Sequence, residues 1–448
     1  MEKKRYERPT LRKMNTGLMN KFGTKTENEP VTHIESVSVK GLLKEYGSPL
    51  FVISEKQIRR NFQNASRIFK TRYPKVQFAW SYKTNYLDAV CQIFHQEGSW
   101  AEVVSGFEYD KAQRNGVPGN QIIFNGPDKT DEQLVTAAKN NSLIHIDHYD
   151  ELYALIRLSE EHKLRPRVAI RINMDTGIYP KWDRFGFNFE NGQAWNALTR
   201  ILNSPNLDLV GLHCHIGTFM LSPNAYATAA RNLCELAWSV KERYGKILQY
   251  LDLGGGFPST NTLKGAYLPG TDTVPSLDQF ADAITDVILG YGFSQDELPL
   301  LILESGRALI DDAGYLLGTV LATKRLSDGR RATILDFGLN TLFTSLWYEH
   351  KVSPAQPMGQ QTEEMVLYGP LCMNIDIVRE SIVMPLLEKG NQLVVHQVGA
   401  YNMTQWMQFI TLRPNIVLID TDNNTHIIRK AETMEYIDSL EEIPQHLK

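Results

Sequence analysis

Lys83 closes an apolar run, Phe78-Ala79-Trp80-Ser81-Tyr82-Lys83. A lysine ending an apolar strand is costly unless it is paired or chemically used. Its stem either carries the charge out to solvent, or the amine stays inside as a nucleophile able to form Schiff bases. His213 and His215 lie two apart in Leu212-His213-Cys214-His215, and a strand would set both on one face. They read as a zinc pair lacking an evident third ligand, as structural histidines, or as a flat imidazole facing a ring. Gly254, Gly255 and Gly256 follow Leu251-Asp252-Leu253; three glycines let backbone N–H groups approach an anion closely. Glu304 ends Leu301-Ile302-Leu303, with Gly306 and Arg307 just behind it. Its carboxylate either pairs internally with Arg307 or meets a protonated pyridine nitrogen, with Gly306 and Arg307 adding to an anion site. An imine-forming amine, a stacking ring, a phosphate cradle and a carboxylate are jointly what pyridoxal 5'-phosphate requires, with Lys83 as its Schiff-base anchor.

Such groups need a frame. Short apolar stretches at residues 77–83, 100–105, 121–125, 143–147, 167–173, 209–216, 250–254 and 300–304 read as strands. Helical patterns between them include 87–97, 106–115, 130–140, 149–162, 192–203 and 224–244. This alternation predicts a parallel sheet with right-handed crossovers, and eight such units match a (β/α)8 barrel, in which chemistry sits at the carboxyl ends of the strands. A doubly wound open sheet would carry its glycine-rich turn after the first strand, whereas here it follows the seventh. Beyond Gly306 the period changes to strands at 315–324, 331–336, 364–367, 392–396 and 415–420, a mostly β second domain. The expected division is an extension over 1–48 that partly joins the β domain, a barrel over 49–310, and the β-rich domain over 311–448.

Composition narrows the function classes. The 448 residues carry a formal net charge of -4, with 42% apolar and 22% charged side chains. That offers no basic patch for nucleic acid, and no run approaches a membrane span. The charged amino-terminal stretch lacks the apolar core of a secretory signal. The four cysteines include no CxxC pair, so the expectation is a chain without disulfides or structural metal in a reducing cytoplasm.

These motifs resemble the fold type III pyridoxal-phosphate decarboxylases, the diaminopimelate, ornithine and arginine decarboxylase superfamily, from about Pro49 to Pro414. Phe78 to Asn85 resembles its lysine motif and Glu102-Val103-Val104-Ser105 its second-strand motif. His215-Ile216-Gly217-Thr218, the glycine triplet, Glu304-Ser305-Gly306-Arg307, Gly369-Pro370-Leu371-Cys372 and Gly399-Ala400-Tyr401 match further family motifs, with Ser305 in place of a usual proline. The resemblance implies that His215 lies against the cofactor ring and that Thr218 and Tyr401 join the cofactor contacts. It implies a head-to-tail homodimer in which Cys372 and Asp376 enter the partner's site, Cys372 handling protonation after carbon dioxide leaves. Arg171 and Arg184 match basic positions near the site.

Two departures bear on the substrate. Diaminopimelate decarboxylases carry an Arg-Pro-Ala-Leu-Tyr stretch that grips a substrate carboxylate, where this chain has Thr344-Ser345-Leu346-Trp347-Tyr348. They also follow the loop cysteine with a glutamate for the distal amine, where this chain has Met373. Losing ion-pairing groups changes specificity strongly. The expectation is therefore a decarboxylase with an altered pocket lined by Arg171, Thr344, Tyr348, Met373 and Asp376, serving secondary metabolism or a carrier-bound amino acid. The alternatives are an amino-acid racemase and a non-catalytic pyridoxal-phosphate-binding regulator.

Overall fold

The computed structural model describes residues 29–448; the first 28 residues of the expected extension lie outside it. Eight parallel strands, Val76–Ser81, Trp100–Val103, Ile122–Phe124, Leu143–Ile146, Arg167–Asn173, Asp208–Cys214, Tyr250–Asp252 and Leu300–Leu303, pair in that order. The eighth returns to the first, with Leu301 opposite Val76, and the fifth joins the sixth, so the barrel is closed. The expected barrel plus a mostly β carboxyl-terminal domain is what forms.

Local chemistry sets the element ends. Ser54 caps the helix Glu55–Lys70 by accepting from Gln57 N, and a capping box of Thr130 with Gln133 opens Asp131–Lys139. The backbone donors that these caps satisfy would otherwise be orphaned. Outer helices press large side chains against the strands, as where Trp80 stacks on Phe94 with ring centroids 3.7 Å apart.

Inside the barrel the two-residue pleat period builds two layers. Ala79, Ile123, Leu143, Ala169, Val210, Tyr250 and Ile302 form a buried floor. Two residues further along six of those strands stand Ser81, Asn125, His145, Arg171, Asp252 and Glu304. An apolar floor under a polar ceiling thus follows from alternation alone, and the site rests on that ceiling.

The second domain is a sheet centred on Gly314–Arg325, which pairs with Gln392–His396, Arg331–Leu335 and Leu50–Ser54. Leu50–Ser54, placed with the barrel segment in the sequence reading, is hydrogen-bonded into this sheet instead, with Ile416–Ile419 on its other side. Its five buried residues look the same in sequence whichever sheet receives them. No helix among the described residues is long and apolar enough to cross a membrane.

Asp311 sutures the two domains. One carboxylate oxygen accepts from Ser259 Oγ at 2.5 Å and Asn261 Nδ2 at 2.9 Å. The other accepts from Ala400 N at 3.3 Å, and the Asp311 carbonyl accepts from Gly399 N at 3.1 Å. Burial pushes this carboxyl up to about 6, against the pull of Arg307 and its hydrogen-bond donors. The folded state therefore holds the proton longer than the unfolded chain does, so this group's contribution to stability is full below the ordinary value and is lost as pH rises through about 6. Urea melts across that window should show wild-type stability falling relative to Asp311→Asn by up to about 3 kcal/mol. Parallel pH profiles for the two proteins would contradict this account of the junction.

Candidate active site

The first barrel strand ends at Ser81, two residues earlier than expected, and Lys83 sits in the 3₁₀ turn Tyr82–Thr84 that follows. The turn aims Nζ back over the barrel mouth, where it meets Glu102 Oε1 at 2.8 Å and Oε2 at 2.7 Å. Burial works against the ammonium, but Glu102 and Glu304 outweigh it, so the pKa of Lys83 is raised, not depressed as a desolvated amine alone would be. Glu102 is fully buried and also accepts from Ser81 Oγ and from Asn125 Nδ2 at 3.0 Å. The same Asn125 amide donates to Glu304 Oε1 at 2.6 Å. One side chain thereby orients both carboxylates.

Glu304 is 3% exposed. Its second oxygen lies 3.4 Å from His213 Nε2, and among the described residues no Glu304–Arg307 ion pair forms. His213 stands inside the barrel, stacked on His145 with ring centroids 4.6 Å apart. His215 lies past the strand end, where Gly255 N donates to its Nδ1 at 3.0 Å. Burial, with Lys83 and Arg171 nearby, holds the His215 imidazole well below its ordinary value, hence neutral. Trp182 packs beside it at 5.7 Å between centroids.

Lys83, Thr84, His215, Thr218, Gly256, Glu304, Gly306, Arg307 and Tyr401 line one cavity. A Cβ on Gly255 would lie 2.3 Å from Glu304 O, and one on Gly256 2.3 Å from Gly217 O. Gly254 and Gly256 also hold φ of 66° and 92°, a region that favours glycine. Arg307 is held among Tyr401, Tyr348, Phe219 and Trp347, 4.6 to 5.8 Å from their ring centroids. Arg307 Nη1 and Thr84 Oγ1 are buried without a hydrogen-bond partner among the described residues. Tyr401 reaches the cavity because its N–H donates to Thr84 O at 2.8 Å, while Asn85 Nδ2 donates to Gly399 O at 3.1 Å. Orphaned donors, a cradle with no room for side chains, a neutral imidazole, an amine and a carboxylate suit a planar pyridine bearing a phosphate and an aldehyde.

The other expected site residues do not line this cavity. Arg171 is 3.7 Å from Asp147 and packs on Phe185, with 12% of its side chain exposed. Thr344 is buried, its hydroxyl bonded to Asn402 Oδ1 at 3.0 Å and His350 Nε2 at 2.8 Å, so it braces the second domain. Asp376 is 2% exposed and accepts from Leu339 N at 2.7 Å and Leu371 N at 2.8 Å, so it clamps its own loop. Tyr348 is buried against Arg307. Met373 is partly buried and Cys372 exposed on the loop between Thr362–Tyr368 and Ile377–Pro385. Sequence reading passed over Asn125, the residue just past the third strand, where the same strand-end inspection would have found it. It also passed over Asp311, whose role needs the second domain in place.

Comparison with known proteins agrees with this geometry. Residues 55–311, more than half of the chain, match the pyridoxal-dependent decarboxylase family, pyridoxal binding domain. The diaminopimelate decarboxylase of Methanocaldococcus jannaschii is 29% identical over 424 residues, 91% of this chain and 94% of that one. That of Bacillus subtilis is 28% identical over 434 residues, 94% and 97% of the two chains. The M. jannaschii enzyme solved with L-lysine superposes with a TM-score of 0.85 at 28% identity, covering 94% of this chain and 100% of that one. The chain belongs to the pyridoxal-dependent decarboxylase family and is a pyridoxal-phosphate-dependent decarboxylase of the amino-acid type.

Proposed function

We propose that this decarboxylase acts on an amino acid, free or carrier-linked, other than meso-diaminopimelate, and that it serves a secondary pathway. The observation that carries the reading is Met373 directly after the loop cysteine, an apolar side chain where a distal amine would need a carboxylate. Thr344 supports it, being short, buried and committed to Asn402 and His350, so nothing at that position can grip a distal carboxylate. A site that no longer pairs an ionic group loses its preference for substrates that carry one.

Within that reading Lys83 anchors the cofactor, and His215 covers one ring face. Gly254, Gly255, Gly256, Gly306, Arg307, Thr218 and Tyr401 hold its phosphate. Glu304 keeps a proton on the ring nitrogen. Bound pyridoxal phosphate supplies the electron sink for the bond to the departing carboxylate. Cys372 is exposed here, as is Ile375 at 57% on the same loop. Both fit a loop that completes the site of a second copy in a head-to-tail homodimer, with Cys372 delivering the proton after carbon dioxide leaves.

Two measurements test this. Lys83→Ala should abolish the yellow colour of the holoenzyme and lower carbon dioxide release by roughly 10²- to 10⁴-fold, the range of a lost acid–base group; colour with full turnover in that variant would refute the anchor. In a panel of amino acids of both configurations, free and carrier-bound, meso-diaminopimelate should show kcat/KM about 10²-fold or more below the best substrate, and Met373→Glu should narrow the gap. Highest turnover on meso-diaminopimelate would overturn the substrate reading.

A further inference from the structure

Four side chains from separate strands meet beneath the cavity: His145, His213, Asp252 and Glu304, each at most 3% exposed, with one ligand-type atom apiece lying within 4.8 Å of the others. Three of them spend one polar atom outside the cluster. His145 Nε2 bonds Tyr250 Oη at 2.8 Å, Asp252 Oδ1 accepts from Gly254 N at 2.8 Å, and Glu304 Oε1 accepts from Asn125 Nδ2. The inward atoms lack that provision. Asp252 Oδ2, His145 Nδ1 and both nitrogens of His213 have no hydrogen-bond partner among the described residues.

Unpartnered polar atoms this deep need an occupant. The nearby cations are committed: Lys83 to Glu102, Arg171 to Asp147 and Lys129 to Glu151. Both histidines are held well below their ordinary values, chiefly by burial, and are neutral. They cannot offset two carboxylates. Adjacent buried acids resolve this by keeping one proton between them. Glu304 takes the Asn125 amide and borders the cavity, while Asp252 has a single backbone donor and no exposure.

We propose that Asp252 is a neutral carboxylic acid whose hydroxyl donates to Glu304, making it a positioning residue for that carboxylate. Oδ1 then stays free to accept from Gly254 N, so one side chain ties the turn of the phosphate cradle to the group beneath the ring. The groups facing Asp252 are Glu304, His213, Cys214, His145, Tyr250 and Glu102; burial and the Glu304 charge, the two leading influences, both push its carboxyl well above the ordinary range. The consequence for the cofactor rests on the reading that Glu304 faces the ring nitrogen: one proton kept on the pair leaves a single negative charge to match a single pyridinium. The proton itself does not depend on that reading.

Infrared difference spectra of cofactor-free wild type against Asp252→Asn at neutral pH should show a protonated-carboxyl band belonging to wild type alone. Absence of that band, or a stoichiometric divalent metal in the purified protein, would overturn the proposal. Asparagine can accept from Gly254 N and donate to Glu304, so D252N should rescue pyridoxal-phosphate affinity and the holoenzyme absorption maximum relative to D252A. D252A should bind roughly tenfold or more weakly, the worth of a buried hydrogen bond to a charged group. If D252N fares as badly as D252A, charge matters and the donor does not, which also overturns the proposal. If the infrared band and the rescue hold while Glu304→Gln keeps wild-type affinity and absorption, the Glu304 reading falls and the Asp252 proton stands.

Discussion

Glu102 is a fully buried carboxylate with three partners, the Ser81 hydroxyl, the Lys83 ammonium and the Asn125 amide. Charge withdrawn from water must be matched where it lies, and the upper barrel is an extended answer to that demand. Lys83 stays over the mouth because Glu102 holds it there. Asn125 reaches from Glu102 to Glu304, so the amine and the carboxylate that flank the cavity are set by one amide. Glu304 in turn shares its second oxygen with the His213 side of the cluster.

This arrangement sits on an apolar floor for a simple reason. Inward positions recur every second residue along a strand, so the residue after next from each floor side chain must also point inward. Placing Ile123 beneath Asn125, or Ile302 beneath Glu304, gives polar groups a dry, rigid base. Low dielectric then strengthens each pairing and penalises each omission. That penalty is why the few orphaned atoms, Arg307 Nη1 and Thr84 Oγ1 at the cavity and Asp252 Oδ2 below it, are informative.

The Arg307 side of the cavity depends on a second constraint, the junction of the domains. Gly399-Ala400-Tyr401 belongs to the β-rich domain, yet it is pinned to Asp311, Asn85 and Thr84. The aromatic enclosure of Arg307 draws on Phe219 from the barrel and on Trp347, Tyr348 and Tyr401 from the second domain. Neither domain builds that enclosure alone. The loop of Cys372 and Met373 extends the same logic, since its Asp376 clamp shapes a segment that the barrel of its own chain does not cover.

Strand and helix alternation, the barrel, and the placement of Lys83, the glycine triplet and Glu304 at strand ends were all legible in the sequence by itself, because pleat period and strand-end position are local properties that a short stretch of chain can display. Which partner each charge takes was not. Lys83 is raised, not lowered, because Glu102 comes from another strand, and Thr344 and Asp376 turn inward to bonds that Asn402, His350 and their own loop supply. Leu50–Ser54 carries an apolar pattern that fits either sheet, and only closure of the chain on itself assigns it to the second. Burial, pairing and protonation are set by neighbours distant in sequence, so they belong to the tertiary structure.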